Sequence, residues 1–138
     1  ILVGALVETG VIKMLAAEAM KITEGSVNAT AILIIWMSAI ASAFVDNIPF
    51  VATMIPLIKD MGAMGITNLD PLWWSLALGA CLGGNGTLIG ASANVVVASL
   101  AAKHGEQISF IGFMKVAFPC MIISIVISTV YVYLRYLM

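Results

Sequence analysis

Long apolar blocks alternate with short polar segments along the chain, and most charges fall at the boundaries between them. The first block runs from Ile1 to about Ile22 and carries Glu8, Lys13, Glu18 and Lys21. Acids and bases spaced three to five residues apart predict that its second half is a helix lying in the membrane interface. Ile1–Val7 reads as the end of a truncated span, so residues 1–23 combine a partial span with an interfacial helix. Glu8 falls either within that span or at its mouth. Glu24-Gly25-Ser26-Val27-Asn28 predicts a turn, with Ser26 or Asn28 available to cap the helix that follows.

The second block starts near Ala29 and is interrupted by Asp46-Asn47, with Pro49 just beyond, before apolar sequence resumes to Ile58. As one helix, 29–58 would run about 45 Å, well past a hydrocarbon core of ~30 Å. Two limbs meeting at Asp46-Asn47 fit better, as a re-entrant helical hairpin over 29–58. Pro49 agrees, since proline suits the first turn of a new helix and disfavours the interior of an old one.

Lys59-Asp60 opens a polar loop that closes at Asp70-Pro71, and Trp73-Trp74 follow where an aromatic belt would sit. From Pro71 to Ala102 no residue is charged. An unbroken helix there would reach about 48 Å. Gly83-Gly84-Asn85-Gly86-Thr87, with Gly90 beyond, breaks it, because each glycine costs about 1 kcal/mol relative to alanine. The expectation over 71–102 is a discontinuous transmembrane helix: one segment to about Leu82, an unwound stretch at Gly83–Thr87, and a second segment to about Ala102. After the polar loop Lys103-His104-Gly105-Glu106, residues 110–135 form a final span closed by Tyr131, Tyr133, Arg135 and Tyr136.

Composition turns these blocks into an all-α integral membrane protein. Apolar residues make up 62% of the 138 and charged residues 9%, with a mean hydropathy of +1.13. Seven acids and six bases could not cover a water-facing surface, where about 25% charge is usual. No basic patch exists to hold nucleic acid. Cys81 and Cys120 lie in apolar stretches at a spacing that suits no zinc site, and they read as buried small hydrophobes. No basic segment precedes the first apolar run, so it does not read as a signal peptide. The start at Ile, within what reads as the end of a hydrophobic helix, leads to the expectation of further sequence before Ile1. The path of the chain puts Lys21, Lys59 and Arg135 on one side and Lys103 and Lys115 on the other, too even to set orientation.

Asp46 is the charge that most needs explaining, because a carboxylate at membrane depth costs roughly 2.5–3.5 kcal/mol. Ser38, Ser42 and Asp46 share one helical face at i, i+4 and i+8, widened by Ala39 and Ala43, and read as the wall of an aqueous or ion-lined cavity. Thr53 on the second limb is placed in that lining too. The plainer reading makes Asp46 a helix cap at a loop tip. In the second interruption, backbone around Gly84 and Gly86 and the side chains of Asn85, Thr87, Ser92 and Asn94 are candidate ligands, with half-helix ends adding their dipoles. Its plainer reading is helix packing through the pairs Gly79/Gly83 and Gly86/Gly90. No Lys follows the glycines, so a phosphate loop is excluded. His104 reads as solvated and the methionines as packing. No nucleophile–base pair or metal-ligand set points to an enzyme or a cofactor. Freed carbonyls suit a cation and the N-terminus of the second half-helix suits an anion, so the residues alone leave the charge of the bound ion open.

Ser42-Ala43-Phe44-Val45-Asp46-Asn47-Ile48-Pro49-Phe50 and the run from Gly79 to Val96 resemble the ion transporter superfamily. That group spans arsenite permeases, NhaD-type sodium–proton antiporters, the P protein and citrate and dicarboxylate transporters; the longer run is most similar to the P-protein-like branch. The resemblance covers the C-terminal half of such a transporter. It implies one of two inverted repeats, each with a re-entrant hairpin and a discontinuous helix, in a multi-pass homodimer of the cell membrane that works by alternating access. The other half and the lipid bilayer are the implied partners, and the hairpin would open to the outside. Where the dicarboxylate branch has Ser-Asn-Thr at its hairpin tip, Asp46-Asn47-Ile48 stands here; where many relatives have Pro-Pro before the signature Asn, Ser92-Ala93 stands here. A carboxylate beside an anionic cargo repels it unless a cation or proton intervenes. Sodium–proton antiport is therefore expected ahead of arsenite, citrate or other anion transport, with a sodium site at Asp46, Asn47 and Asn85 and sodium or a proton as the coupling ion. From another class, a non-transporting membrane assembly subunit would use the glycines for packing alone.

Overall fold

The computed structural model describes residues 8–138, and within them every regular element is helical. The partial span expected over Ile1–Val7 lies outside the described residues. Helix α1 (Val11–Ile22) meets α2 (Val27–Ser42) at a corner where the two axes differ by 119°. Glu24 and Gly25 make the corner in left-handed backbone, φ 52° and 71°, a region that glycine enters without strain. Thr30, fully buried, pins it: its hydroxyl lies 2.9 Å from Thr23 Oγ1 and 2.7 Å from the Ser26 carbonyl. Ser26 precedes the first turn of α2, but its side chain makes no capping bond.

Helix α3 (Asn47–Ala63) follows α2 after four irregular residues. Helix α4 (Asp70–Gly83) and helix α5 (Ser92–Lys103) are separated by eight residues, a longer break than the Gly83–Thr87 expected. Helix α6 (Phe110–Val132) continues through a π-helical turn, Tyr133–Leu137. At ~1.5 Å per residue, α2 to α5 are about 18–26 Å long and each falls short of a ~30 Å hydrocarbon core. Phe110–Leu137 is long and apolar enough to cross a membrane, and the bent pair α1–α2 would be a second crossing if counted as one span.

Helices α2 and α4 lie side by side and parallel, with Ile35 beside Gly79 and Ala39 beside Gly83. Helix α6 runs back along α4: Trp74 stacks on Tyr136 at 6.0 Å, while Met121 reaches Gly86 beyond α4's other end. The second limb, α3, returns toward the start of α2. Its Met54, Leu57, Ile58 and Met61 join Ala16, Ile34, Leu72 and Leu76 in one core cluster, with Val27 packed against it. A second cluster, Ala39, Ala43, Met121 and Ile125, sits at the interruptions. Only Met121, Ile125, Ser128 and Val132 of α6 are buried, a single stripe on a helix that is apolar on all sides. Cys81 and Cys120 correct the sequence expectation: both are exposed, because they point away from the α2–α4–α6 contacts on a surface that is itself apolar.

Candidate functional site

The two helix interruptions meet. At the first, α2 ends in Ser42 and Ala43, both fully buried. Asp46 then caps α3, accepting from the Ile48 backbone N–H at 3.2 Å, and it is exposed. Asp46 thus makes the capping bond of its plainer reading, and it sits beside Asn47 at the rim of the site. Asn47, the first residue of α3, turns its carboxamide back onto the Ser42 hydroxyl. The same hydroxyl lies 2.6 Å from the Ala80 carbonyl. One hydroxyl proton cannot serve both acceptors; with the amide nitrogen of Asn47 turned toward Ser42, Ser42 accepts from Asn47 and donates to Ala80. Gly84 lies directly against the Asn47 carboxamide, where an added Cβ would come within 3.2 and 3.3 Å of its two polar atoms.

At the second interruption, Thr87 is fully buried and its hydroxyl donates to the Ala43 carbonyl at the end of α2. It also accepts from the Gly90 N–H at 3.1 Å. Asn94, in the first turn of α5, donates from Nδ2 to the Gly84 carbonyl at 3.1 Å and to the Thr87 carbonyl at 3.0 Å. Backbone groups freed by unwinding need partners of this kind when water is excluded. Gly90 has no room for a side chain: a Cβ there would stand 2.6 Å from the Gly84 carbonyl and 2.8 Å from that of Ala43.

The glycines of α4 serve close packing as well as the break. An added Cβ on Gly79 would stand 2.5 Å from the Ile35 carbonyl, and one on Gly83 would overlap the backbone of Ala39. Small residues let helix backbones approach this closely. Ser38 and Ser42, expected to line an aqueous or ion-lined cavity, are enclosed where α2 meets α4 in this chain. The physical reason is that Ser38, Ala39, Ser42 and Ala43 form the groove that receives the glycine ridge. Ser38 Oγ and Ser75 Oγ are buried and make no hydrogen bond.

The structure brings Asn47, Gly84, Gly86, Thr87 and Asn94 together with Ser42. Asp46 and Asn85 are exposed, and they are the chain neighbours of Asn47 and Gly84, the two residues in contact. Ser92 is exposed at the start of α5. Thr53 is apart from this group, its hydroxyl bonded to the Pro49 carbonyl of its own helix at 2.9 Å. His104 is exposed and bonded to the Leu100 carbonyl at 2.9 Å. Among the described residues no group of three or more His, Cys, Asp or Glu could hold a metal ion. Residue patterns missed the Ala43 carbonyl and Met121: a backbone acceptor leaves no mark in a sequence, and one methionine among nine carries no position.

The sequence model of the citrate transporter family matches residues 1–79, more than half of the chain. The chain belongs to the citrate transporter family. It is 48% identical over 138 residues to an uncharacterized transporter of Mycobacterium tuberculosis, covering 99% of this chain and 32% of that relative. The P protein of Sus scrofa is 51% identical over 105 residues, or 75% of this chain and 12% of its own length. The human P protein is 50% identical over 105 residues, again covering 75% of this chain and 12% of its own length. The chain thus spans about a third of the mycobacterial relative. No solved structure matches it.

Proposed function

We propose that this chain contributes one half of the ion site of a multi-pass secondary transporter of the cell membrane, exchanging sodium for protons by alternating access. The observation that carries the reading is where the interruptions sit. They are fastened together through Thr87 and Ala43, and Gly86 lies against Met121. Met121 is about 17 Å from the start of α6 and about 24 Å from Leu137 at ~1.5 Å per residue. With α6 as the ruler across the bilayer, both interruptions lie well inside hydrocarbon. Irregular backbone is tolerated there only when buried in protein or lining a cavity. Paired half-helix ends near the midplane are the mark of a transporter binding site.

In this reading α2 and α3 are the limbs of a re-entrant hairpin, and α4 and α5 form one discontinuous helix. Asp46 is the protonatable coupling group on the rim, and Asn47 and Asn85 contribute neutral oxygen ligands. The rest of the transporter supplies the inverted counterpart, and the assembly is a homodimer in the bilayer. Membership of a transporter family argues against the assembly-subunit alternative. The test is sodium-driven proton flux in proteoliposomes of the full-length protein. Asp46→Asn is expected to abolish flux and its pH dependence, and undiminished flux would sink the coupling role.

A second reading keeps the fold and changes the cargo to citrate or another anion, as the family description favours. Thermal stabilisation of the full-length protein separates the two. Sodium alone stabilises an antiporter, whereas an anion permease needs citrate or arsenite to be present.

A further inference from the structure

The Asn94 carboxamide does a different job from the one its residue type suggests. It stands in the first turn of α5, and both protons of its amide nitrogen point backward across the break. Their acceptors, the carbonyls of Gly84 and Thr87, bracket the Asn85-Gly86 peptide units. A carboxamide nitrogen has two protons to give, so its donor capacity is spent within the protein. Among the described residues nothing else holds α5 in the same way. The helix has no buried residue, Ala91 at its start offers no side-chain cap, and Val95, Val96, Val97 and Leu100 are exposed. Among the described residues Asn94 is the one side chain of α5 that hydrogen-bonds to the break.

We infer that Asn94 is a positioning residue, a brace that fixes the direction of half-helix α5 and the orientation of the Asn85-Gly86 backbone, and that it is not itself an ion ligand. The inference rests on the proposed ion site and deepens it. The brace turns two carbonyls toward the amide nitrogen and so sets which way the peptide units between them face. A cargo ion feels Asn94 only through that backbone.

The role is separable from general stability because the brace requires a proton donor. Asn94→Asp keeps the shape and loses the donor while ionised. Two carbonyls facing the new carboxyl favour its neutral form, so it regains one donor at moderately acidic pH, above its usual range of about 4. In proteoliposomes of the full-length protein, Asn94→Ala is expected to raise the KM for sodium by about tenfold. Asn94→Asp should be equally impaired at neutral pH and recover relative to wild type, measured at each pH, as pH falls. A ratio of Asn94→Asp to wild type that stays flat with pH, or an unchanged sodium KM in Asn94→Ala, overturns the brace.

A second readout does not depend on cargo. Spin labels are placed at Val97→Cys on α5 and Ile127→Cys on α6, both exposed in wild type, with Cys81 and Cys120 replaced by alanine and no other cysteines. The distance distribution between them should be narrow with Asn94 present. It should broaden in Asn94→Ala and in Asn94→Asp at neutral pH, then narrow again in Asn94→Asp on acidification. An unchanged distribution refutes the brace even if wild type carries no sodium, a result that would by itself refute the proposed antiport and leave the brace standing.

Discussion

Helices α4 and α5 have similar length and carry charge only at their outer ends, Asp70 and Lys103, yet they meet opposite fates. Seven residues of α4 are buried, including Pro71, Leu72, Ser75, Leu76 and Gly79, whereas α5 buries none. Within this chain, which spans about a third of its mycobacterial relative, apolar character therefore does not decide which helix packs. In lipid a valine gains little by leaving a surface that is already apolar, so helix association rests on close backbone approach and on polar bonds. Helix α4 has Gly79 and Gly83 one turn apart to press into α2; the corresponding length of α5 has Val95, Val96 and Val97, which offer no such close backbone approach and are exposed within this chain.

The largest test of that contrast is Gly83→Ala. The added methyl would overlap the Ala39 carbonyl oxygen and lie 2.5 Å from its Cα, and helix backbone cannot yield as a side-chain tip can. The expected loss is about 3 kcal/mol, at the upper end for overpacking, read as a lower unfolding midpoint of the full-length protein in detergent. Val96→Leu adds one carbon to an exposed position on α5 and should move the midpoint by less than about 0.5 kcal/mol. Equal losses from the two substitutions would mean that the rest of the transporter covers α5 as tightly as α2 covers α4.

Next comes Thr87→Val, which keeps the shape of the side chain and removes its hydroxyl. The Ala43 carbonyl loses its Thr87 donor and the Gly90 N–H loses one of its two acceptors, the Thr87 carbonyl at 3.3 Å being the other. A buried polar group left unpaired costs about 1–3 kcal/mol, so a loss near 2 kcal/mol is expected in the same unfolding measurement. The contrast sharpens if Thr53→Val changes stability little, since the Thr53 hydroxyl only returns to its own helix at Pro49.

The interruptions were visible in the sequence because each breaks a local rule: a carboxylate and a proline inside an apolar run, and glycines crowded where a helix should continue. Helix ends fall beside both. Direction was not visible. The stripe Ser38, Ala39, Ser42, Ala43 looks the same whether it faces water or a glycine ridge, and its partner lies some forty residues further along. Asn85, Thr87, Ser92 and Asn94 form one polar cluster in the sequence, yet Asn85 and Ser92 face outward while Thr87 and Asn94 stitch the break together. Spacing along a chain fixes which face a residue shares, and only tertiary contact fixes what that face meets.

The smallest expected effect decides the stripe. Ser38 is fully buried and its hydroxyl makes no hydrogen bond, so it contributes desolvation without a compensating partner. Replacing an unsatisfied buried hydroxyl by hydrogen is expected to be neutral or stabilising by up to about 1 kcal/mol. Ser42→Ala has the opposite sign, because the Ser42 hydroxyl bonds both Asn47 and the Ala80 carbonyl. If Ser38 only fills the groove that receives Gly79, Ser38→Ala leaves ion flux unchanged while the unfolding midpoint holds or rises. If the stripe instead lines the ion path, flux falls although the protein is no less stable. Measuring midpoint and flux on the same preparation separates a packing face from a conducting one, a distinction that the spacing of four small residues leaves open.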